Sequence, residues 1–403
     1  MSEQLPSFLT PRSQFVTFDP QFVSDLRDVP QKDLSIYLIA LAAAQRGLKV
    51  TFWGSSVQAR STAWGRGRES NTPRLVTIEN GSKRHFFDRT QGDRSSQKTV
   101  NLCINKEATK EVLRKAGILV PKGLQFTGKN HKAMSTFLEK SEAKKYLIKP
   151  VEGSLAKGVH REITAQQALK IASSRQNRAG GFMLEEQIFG NEYRVYVVGG
   201  KVASAYQRVE GVLLGDGRNT VAQLIFKINE SRKRHPYLNH RLIDLSKVAL
   251  FLAKSGQTLN YVPVFGQKVV LSGSFHYDEG GTSKEVSQTI SDNVARAAIG
   301  ACQALDLPNG GIDLIERDDQ VFILEANTRA YIASHSFPEI EPGCGNAIAE
   351  AIIDFYFPSP KPIQRDQNVW IDVKAIREAF DLTGEETRHE VTAVRREQTA
   401  SQV

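Results

Sequence analysis

The stretch LIKPVEGSLAKGVHREI, Leu147 to Ile163, restricts the possible folds more than any other. Gly153 and Gly158 keep the G-x-x-x-x-G spacing of a phosphate-binding P-loop, which continues with Lys and then Ser or Thr. Here Val159 and His160 follow, and the loop's lysine, Lys157, precedes the second glycine. The stretch is thus a failed P-loop, an ordinary turn or a different way to hold a nucleotide. What remains is a glycine loop between two short strands, with Lys149 placed just before it in I-K-P. A lysine on a strand needs something for its charge to meet, and beside a glycine loop that something suits a polyphosphate.

With 403 residues the chain is too long for one simple core and predicts two or three domains. Its 40% hydrophobic and 24% charged residues are those of an ordinary globular protein. The longest apolar run, LSIYLIALAAA, is about half a membrane span and ends in Gln45-Arg46, so it reads as a buried helix. The polar start MSEQLPSFLTPRSQ has no apolar signal region, and no membrane partner is expected. Cys103, Cys302 and Cys344 are widely spaced and odd in number, which fits buried thiols in a reducing cytoplasm. The histidines show no zinc spacing. The net charge of +9 suits nucleic acid or a pocket for anionic small molecules. The densest basic cluster, SRKRH from Ser231, has no aromatic interleaving beyond Tyr237 and reads as a solvated loop, so no nucleic-acid partner is expected.

Along the chain, DLSIYLIALAAAQRG predicts a helix closed by Gly47, with KVTFW a buried strand after it. GRGRES lacks the third glycine of a dinucleotide fingerprint and reads as a loop. Asn105 caps the helix KEATKEVLRKAG. HKAMSTFLEKSEAK is a helix, YLIKPV a strand, TAQQALKIASS a helix with a Thr164/Gln167 capping box, and GFMLEEQIF a strand. NEYRVYVV and KVASAYQRV alternate around Gly199-Gly200, a hairpin signal. TVAQLIFKINESR, KEVSQTISDNVARAAIGACQAL and NAIAEAIIDFYFP are expected helices, and the last dozen residues of the polar tail are expected to be disordered.

In GIDLIERDDQVFILEANT, alternation puts Val321, Ile323, Glu325 and Asn327 on one strand face. A three-residue loop of Arg317, Asp318 and Asp319 would bring Asp313 to the same face, diagonal to Glu325. Two carboxylates and an amide oxygen suit Mg²⁺, although Glu325 could equally end its strand at the solvent. In FMLEEQIFGNEYRV, Glu185 and Glu192 flank a strand end broken by Gly190, where a carboxylate could meet an adenine or a ribose.

In chain order these are a helix-opening lysine, I-K-P, the glycine loop, E-E-x-x-x-G-x-E-x-R, then D and E-x-N. The set, spanning roughly residues 100 to 358, resembles the ATP-grasp ligases. The segment from Gly190 to Glu230, with G-D-G-x-x-T-V and EGGT at Glu279 to Thr282, is similar to the cyanophycin synthetase branch, and glutathione synthetases share much of it. The resemblance implies an α/β N-terminal (pre-ATP-grasp) domain over 1–104. A two-lobed ATP-grasp fold would follow, with α+β lobes at 105–190 (lid) and 191–362, then a polar tail at 363–403. It also implies ATP between the lobes and two Mg²⁺ ions, for which Mn²⁺ can substitute.

The implied roles are residue-specific. Lys106 and Lys149 would contact phosphates. Gly153, Ser154 and Gly158 would belong to the lid loop. Glu185 would accept from the adenine amino group beside the backbone of Glu186 and Ile188, and Glu192 would bind ribose. Asp313, Glu325 and Asn327 would hold Mg²⁺. Arg194 and Arg208 would lie near the transferred phosphate or the acidic substrate. The sequence departs from the branch at Thr328-Arg329, where a small residue pair is usual, at Ser272, where cyanophycin synthetases tend to carry arginine, and in lacking their second ligase domain. Arg329 would rejoin the face of Glu325 and Asn327 if the strand continued, while Gly311 offers no side chain where some relatives have an arginine. The implied activity is ADP-forming carboxylate–amine ligation through an acyl phosphate, on amino acids or short peptides, with a homo-oligomer left open. The alternatives are a non-catalytic ATP-binding protein and a nucleic-acid-binding protein using the basic surface.

Overall fold

The computed structural model describes residues 18–53, 75–126, 131–151, 158–174, 181–340, 342–359, 364–381, 388–391 and 393–395. These form two compact units, one of Arg94–Val202 and Ile290–Thr328, the other of Met1–Asp93, Ala203–Thr289 and Arg329–Val403.

The first unit holds most of the predicted site. Four antiparallel strands run in the order Gly123–Phe126, Phe182–Glu186, Tyr146–Pro150 and His160–Ile163. Because alternate side chains face opposite ways, Tyr146, Ile148, Phe182 and Leu184 pack against Met134, Leu138, Ala168 and Ala172 of the helices His131–Lys140 and Ala165–Ser174. Burying each large apolar side chain contributes about 1.5–3 kcal/mol. Leu147, Lys149, Met183 and Glu185 are left on the opposite face. The expected Thr164/Gln167 capping box is present, each backbone N–H bonding the other's side chain.

The second sheet of this unit brings together Asn191–Val198, Asn309–Arg317 and Gln320–Asn327, with the helix Asp292–Ala304 against them. Its hairpin turns on two residues, Asp318 and Asp319, both with positive φ as a tight hairpin turn needs. The expected three-residue loop is thus corrected. An even turn alone would have put Asp313 and Glu325 on opposite faces. Instead a register shift at Asp313/Leu314 leaves Leu324 as an extra residue, so Asp313 stands directly opposite Glu325. The bulge also splits the predicted face: Val321, Ile323 and Ala326 are buried in the core, while Glu325 and Asn327 share the side of Asp313.

In the other unit the helix Leu34–Gln45 is buried along its whole length, and Gly47 (φ +72°) turns the chain into the strand Lys49–Trp53. That strand lies in a five-stranded sheet between Leu75–Asn80 and Arg388–Glu390. The described residues of the C-terminal segment are therefore part of the fold, not a polar tail, and of the last dozen, expected to be disordered, all but 393–395 lie outside the described residues. Trp370, Ile371, Val373 and Ile376 are buried, and Ala393–Arg395 pairs with Val369–Ile371. The expected helix from Lys284 is shorter. Thr282–Glu285 is a strand opposite Tyr206–Val209, and the helix begins at Asp292, capped by the Ser291 side chain accepting from the Val294 N–H. The SRKRH cluster is not a solvated loop: it ends the helix Val221–Lys233, and Arg232 is buried. GRGRES lies outside the described residues.

Candidate functional site

The bulge creates a row of charge across three strands. Arg194, Asp313 and Glu325 are direct neighbours in register, and one step along stand Tyr196, Gly311 and Asn327. Arg194 donates a fork to Asp313, Nε to Oδ1 and Nη2 to Oδ2, each at 2.5 Å. Such planar, charge-assisted pairing is among the stronger polar contacts. Glu325 is more open, and its Oε1 lies 3.9 Å from Lys106 Nζ. Among the described residues, no three of His, Cys, Asp and Glu gather into a set able to hold a metal ion unaided. Two carboxylates and the Asn327 amide on one face are nevertheless hard-oxygen donors, and they suit an ion that takes its other ligands from phosphate and water.

Lys106 opens the helix Lys106–Lys115, which Asn105 caps by accepting from the N–H groups of Glu107 and Ala108 at 3.1 Å each. One turn on, Lys110 projects from the same side, since residues four apart share a helix face. Its Nζ approaches Glu185 Oε1 to 2.5 Å, and Lys149 Nζ lies 3.0 Å from Oε2. Glu185 is 3% exposed and Lys110 2%. Burial pushes the Glu185 carboxyl up, but the two ammonium groups outweigh it and hold it below the usual carboxylate range. Burial drives the Lys110 ammonium down to about 8, against the pull of Glu185. Sequence reasoning did not single out Lys110. The K-E-A-T-K spacing was the available signal, but which helix face meets the sheet is decided by packing.

The other predicted residues divide. The Glu186 N–H donates to the Lys122 carbonyl and its Oε1 accepts from Ser141 Oγ, while Ile188 is buried. Glu192 is buried on the face of Arg194, with Arg161 Nη1 3.9 Å from its Oε2. Gly158 has φ +78°, and Gly153 and Ser154 lie outside the described residues. Arg208, opposite Ser283, and Arg329 belong to the other unit. The strand stops at Asn327, so the alternation expected to carry Arg329 onto the face of Glu325 does not continue, and its guanidinium Nη2 meets Asp88 Oδ2 at 3.1 Å. The three cysteines are buried, and burial raises the Cys103 thiol to about 12, with the nearby Glu325 charge adding to the effect.

Gly123 pairs with Glu185 and has no room for a side chain: a Cβ there would lie 2.3 Å from the Leu184 carbonyl oxygen and 2.8 Å from Glu185 Cγ. Gly123→Ala is expected to destabilise the protein by roughly 1–3 kcal/mol, as overpacking does. Denaturant unfolding measures it, and an unchanged midpoint would show that the strand can give way.

No family profile matches the chain. It is 28% identical over 304 residues to a cyanophycin synthetase of Nostoc sp., covering 71% of this chain and 32% of that protein. It is 30% identical over 257 residues to the glutathione biosynthesis bifunctional protein GshAB of Mannheimia succiniciproducens, covering 58% and 33%. The chain thus spans about a third of the length of these curated relatives. Among solved structures, a bifunctional glutathione synthetase from Pasteurella multocida matches 71% of this chain and 40% of its own, with a TM-score of 0.54 at 24% identity, a likeness of fold. No helix among the described residues is long and apolar enough to cross a membrane.

Proposed function

We propose, from the premise that the chain has the ATP-grasp fold and is homologous to cyanophycin synthetases and bifunctional glutathione-forming proteins, that it is an ADP-forming carboxylate–amine ligase acting on amino acids or short peptides. The observation that carries the reading is the direct opposition of Asp313 and Glu325 across a β-bulge, with Asn327 beside them. These three would hold Mg²⁺, which supplies positive charge to the nucleotide's phosphates when bound. Lys106 and Lys149 would meet phosphate oxygens, Glu185, Glu186 and Ile188 the adenine, and Glu192 the ribose. Gly153, Ser154 and Gly158 are assigned to the loop over the phosphates.

In this reading a substrate carboxylate oxygen attacks the γ-phosphorus of ATP, and the bond from that phosphorus to the β,γ-bridging oxygen breaks. ADP and an acyl phosphate result. An amine then attacks the acyl carbon, loses a proton and expels inorganic phosphate. No covalent link to the protein is required. Its work is to align the reactants and to balance negative charge, to which Arg194 and Arg208 are assigned. Mg²⁺-dependent phosphate release, screened against amino acids and short peptides with mass spectrometry of responding pairs, tests this. Amide products support the reading. Release that no amine converts to an amide would leave a carboxylate kinase, and no release with any pair would remove ligation.

A further inference from the structure

The Glu185 carboxylate is buried between two ammonium groups, so the cluster carries one more positive than negative charge. A buried surplus of that kind favours the arrival of an anion. If Lys149 were the lone partner of Glu185, moving it to a phosphate would strand a buried carboxylate, which is strongly disfavoured. Lys110 offsets that penalty because its ammonium meets the other oxygen, Oε1, independently of Lys149. Its approach is an ionic contact rather than a well-directed hydrogen bond, and its helix is anchored by the Asn105 cap. Lys149, less deeply buried, sits on the strand that leads toward the glycine loop.

We infer that Lys110 is a positioning residue for nucleotide binding: it keeps Glu185 neutralised, so that Lys149 can leave that carboxylate for a nucleotide phosphate. This rests on the nucleotide-binding reading above. The charged groups around Lys110 are Glu185 and Lys149 from the sheet and Glu107 from its own helix. Since its ammonium titrates near 8, well below an ordinary lysine, the device works in neutral solution and fails as pH rises.

Calorimetric titration of the full chain with Mg-ATP, without acid or amine, from about pH 6.5 to 9.5 tests this. Wild-type affinity is expected to hold to neutrality and then weaken about tenfold, the worth of one charge-assisted contact. Lys110→Met should bind about tenfold more weakly at neutral pH and show no such decline. Lys110→Arg, whose charge persists throughout, should keep neutral-pH affinity and lose the decline. Lys110→Met binding like wild type, or Lys110→Arg keeping the wild-type decline, overturns the inference while leaving nucleotide binding intact. Should Lys110→Met not fold, the Lys110→Arg profile decides by itself. A wild-type chain that binds no Mg-ATP at any pH removes both the nucleotide reading and this one.

Discussion

Glu325→Gln is expected to lower phosphate release by at least about a hundredfold while leaving the melting temperature near that of the wild type, since a metal's charge is worth several kcal/mol in such chemistry. Asp313→Asn is expected to lose release as well, and in addition to melt far lower. The two carboxylates are neighbours, yet their surroundings differ. Glu325 is partly open, and Lys106 lies at 3.9 Å, the edge of an ion pair. Asp313 is buried and receives both arms of the Arg194 guanidinium at 2.5 Å. An amide there keeps the shape but removes the charge from the Arg194–Asp313 fork, and breaking a nearly buried ion pair costs about 3–5 kcal/mol. Thermal melts alongside phosphate release separate the two effects. Near-normal release by Glu325→Gln would end the metal assignment, and a wild-type melt for Asp313→Asn would show that the fork adds no stability.

Asp313 and Glu325 share a face, but not through the loop that alternation requires. Asp313 and Glu325 were placed together by assuming a three-residue loop, but the turn has two residues and Leu324 supplies the missing one as a bulge. Nothing in the composition marks that bulge; it follows from the competing demands of an apolar core face and a tight turn. Arg194 was visible as a candidate, but its register opposite Asp313 depends on a strand more than a hundred residues away. Helices with caps are legible because their signals are local, as at Asn105 and Thr164. The C-terminal segment was misread because its average polarity hides one buried strand, Val369–Ile371, and the amphipathic helix after it. The face expected for Arg329 is not reached because alternation says nothing about where a strand stops.

Arg232 illustrates the same blindness with a larger energetic consequence. It lies in the most basic stretch of the chain, yet it is buried, and its donors are shared among the carbonyls of Arg241, Tyr277 and Gly281 and both oxygens of Glu339. It thereby fastens the turn Tyr277–Glu279 and the glycines of the E-G-G-T segment to the helix Val221–Lys233. Arg232→Met is expected to destabilise the protein by about 3–5 kcal/mol, because it takes the counter-charge from a largely buried carboxylate and the Arg232 donors from the Arg241 and Gly281 carbonyls. Arg232→Lys should recover only part of this, since an ammonium keeps the charge but cannot span the fork. The pH dependence carries a definite sign. Burial pushes the Glu339 carboxyl up, but the hydrogen bonds and charge of Arg232, helped by Thr282, bring it below the usual carboxylate range. A carboxylate depressed in this way contributes stability at neutral pH and loses it as pH falls through its folded-state value. In Arg232→Met that depression is gone, so the stability gap from wild type should be widest near neutrality and narrow below about pH 4. Denaturant unfolding at several pH values reads the gap directly. A gap that stays constant into acid would show that Arg232 acts through the carbonyls alone, and the absence of any gap would show that the buried network is dispensable.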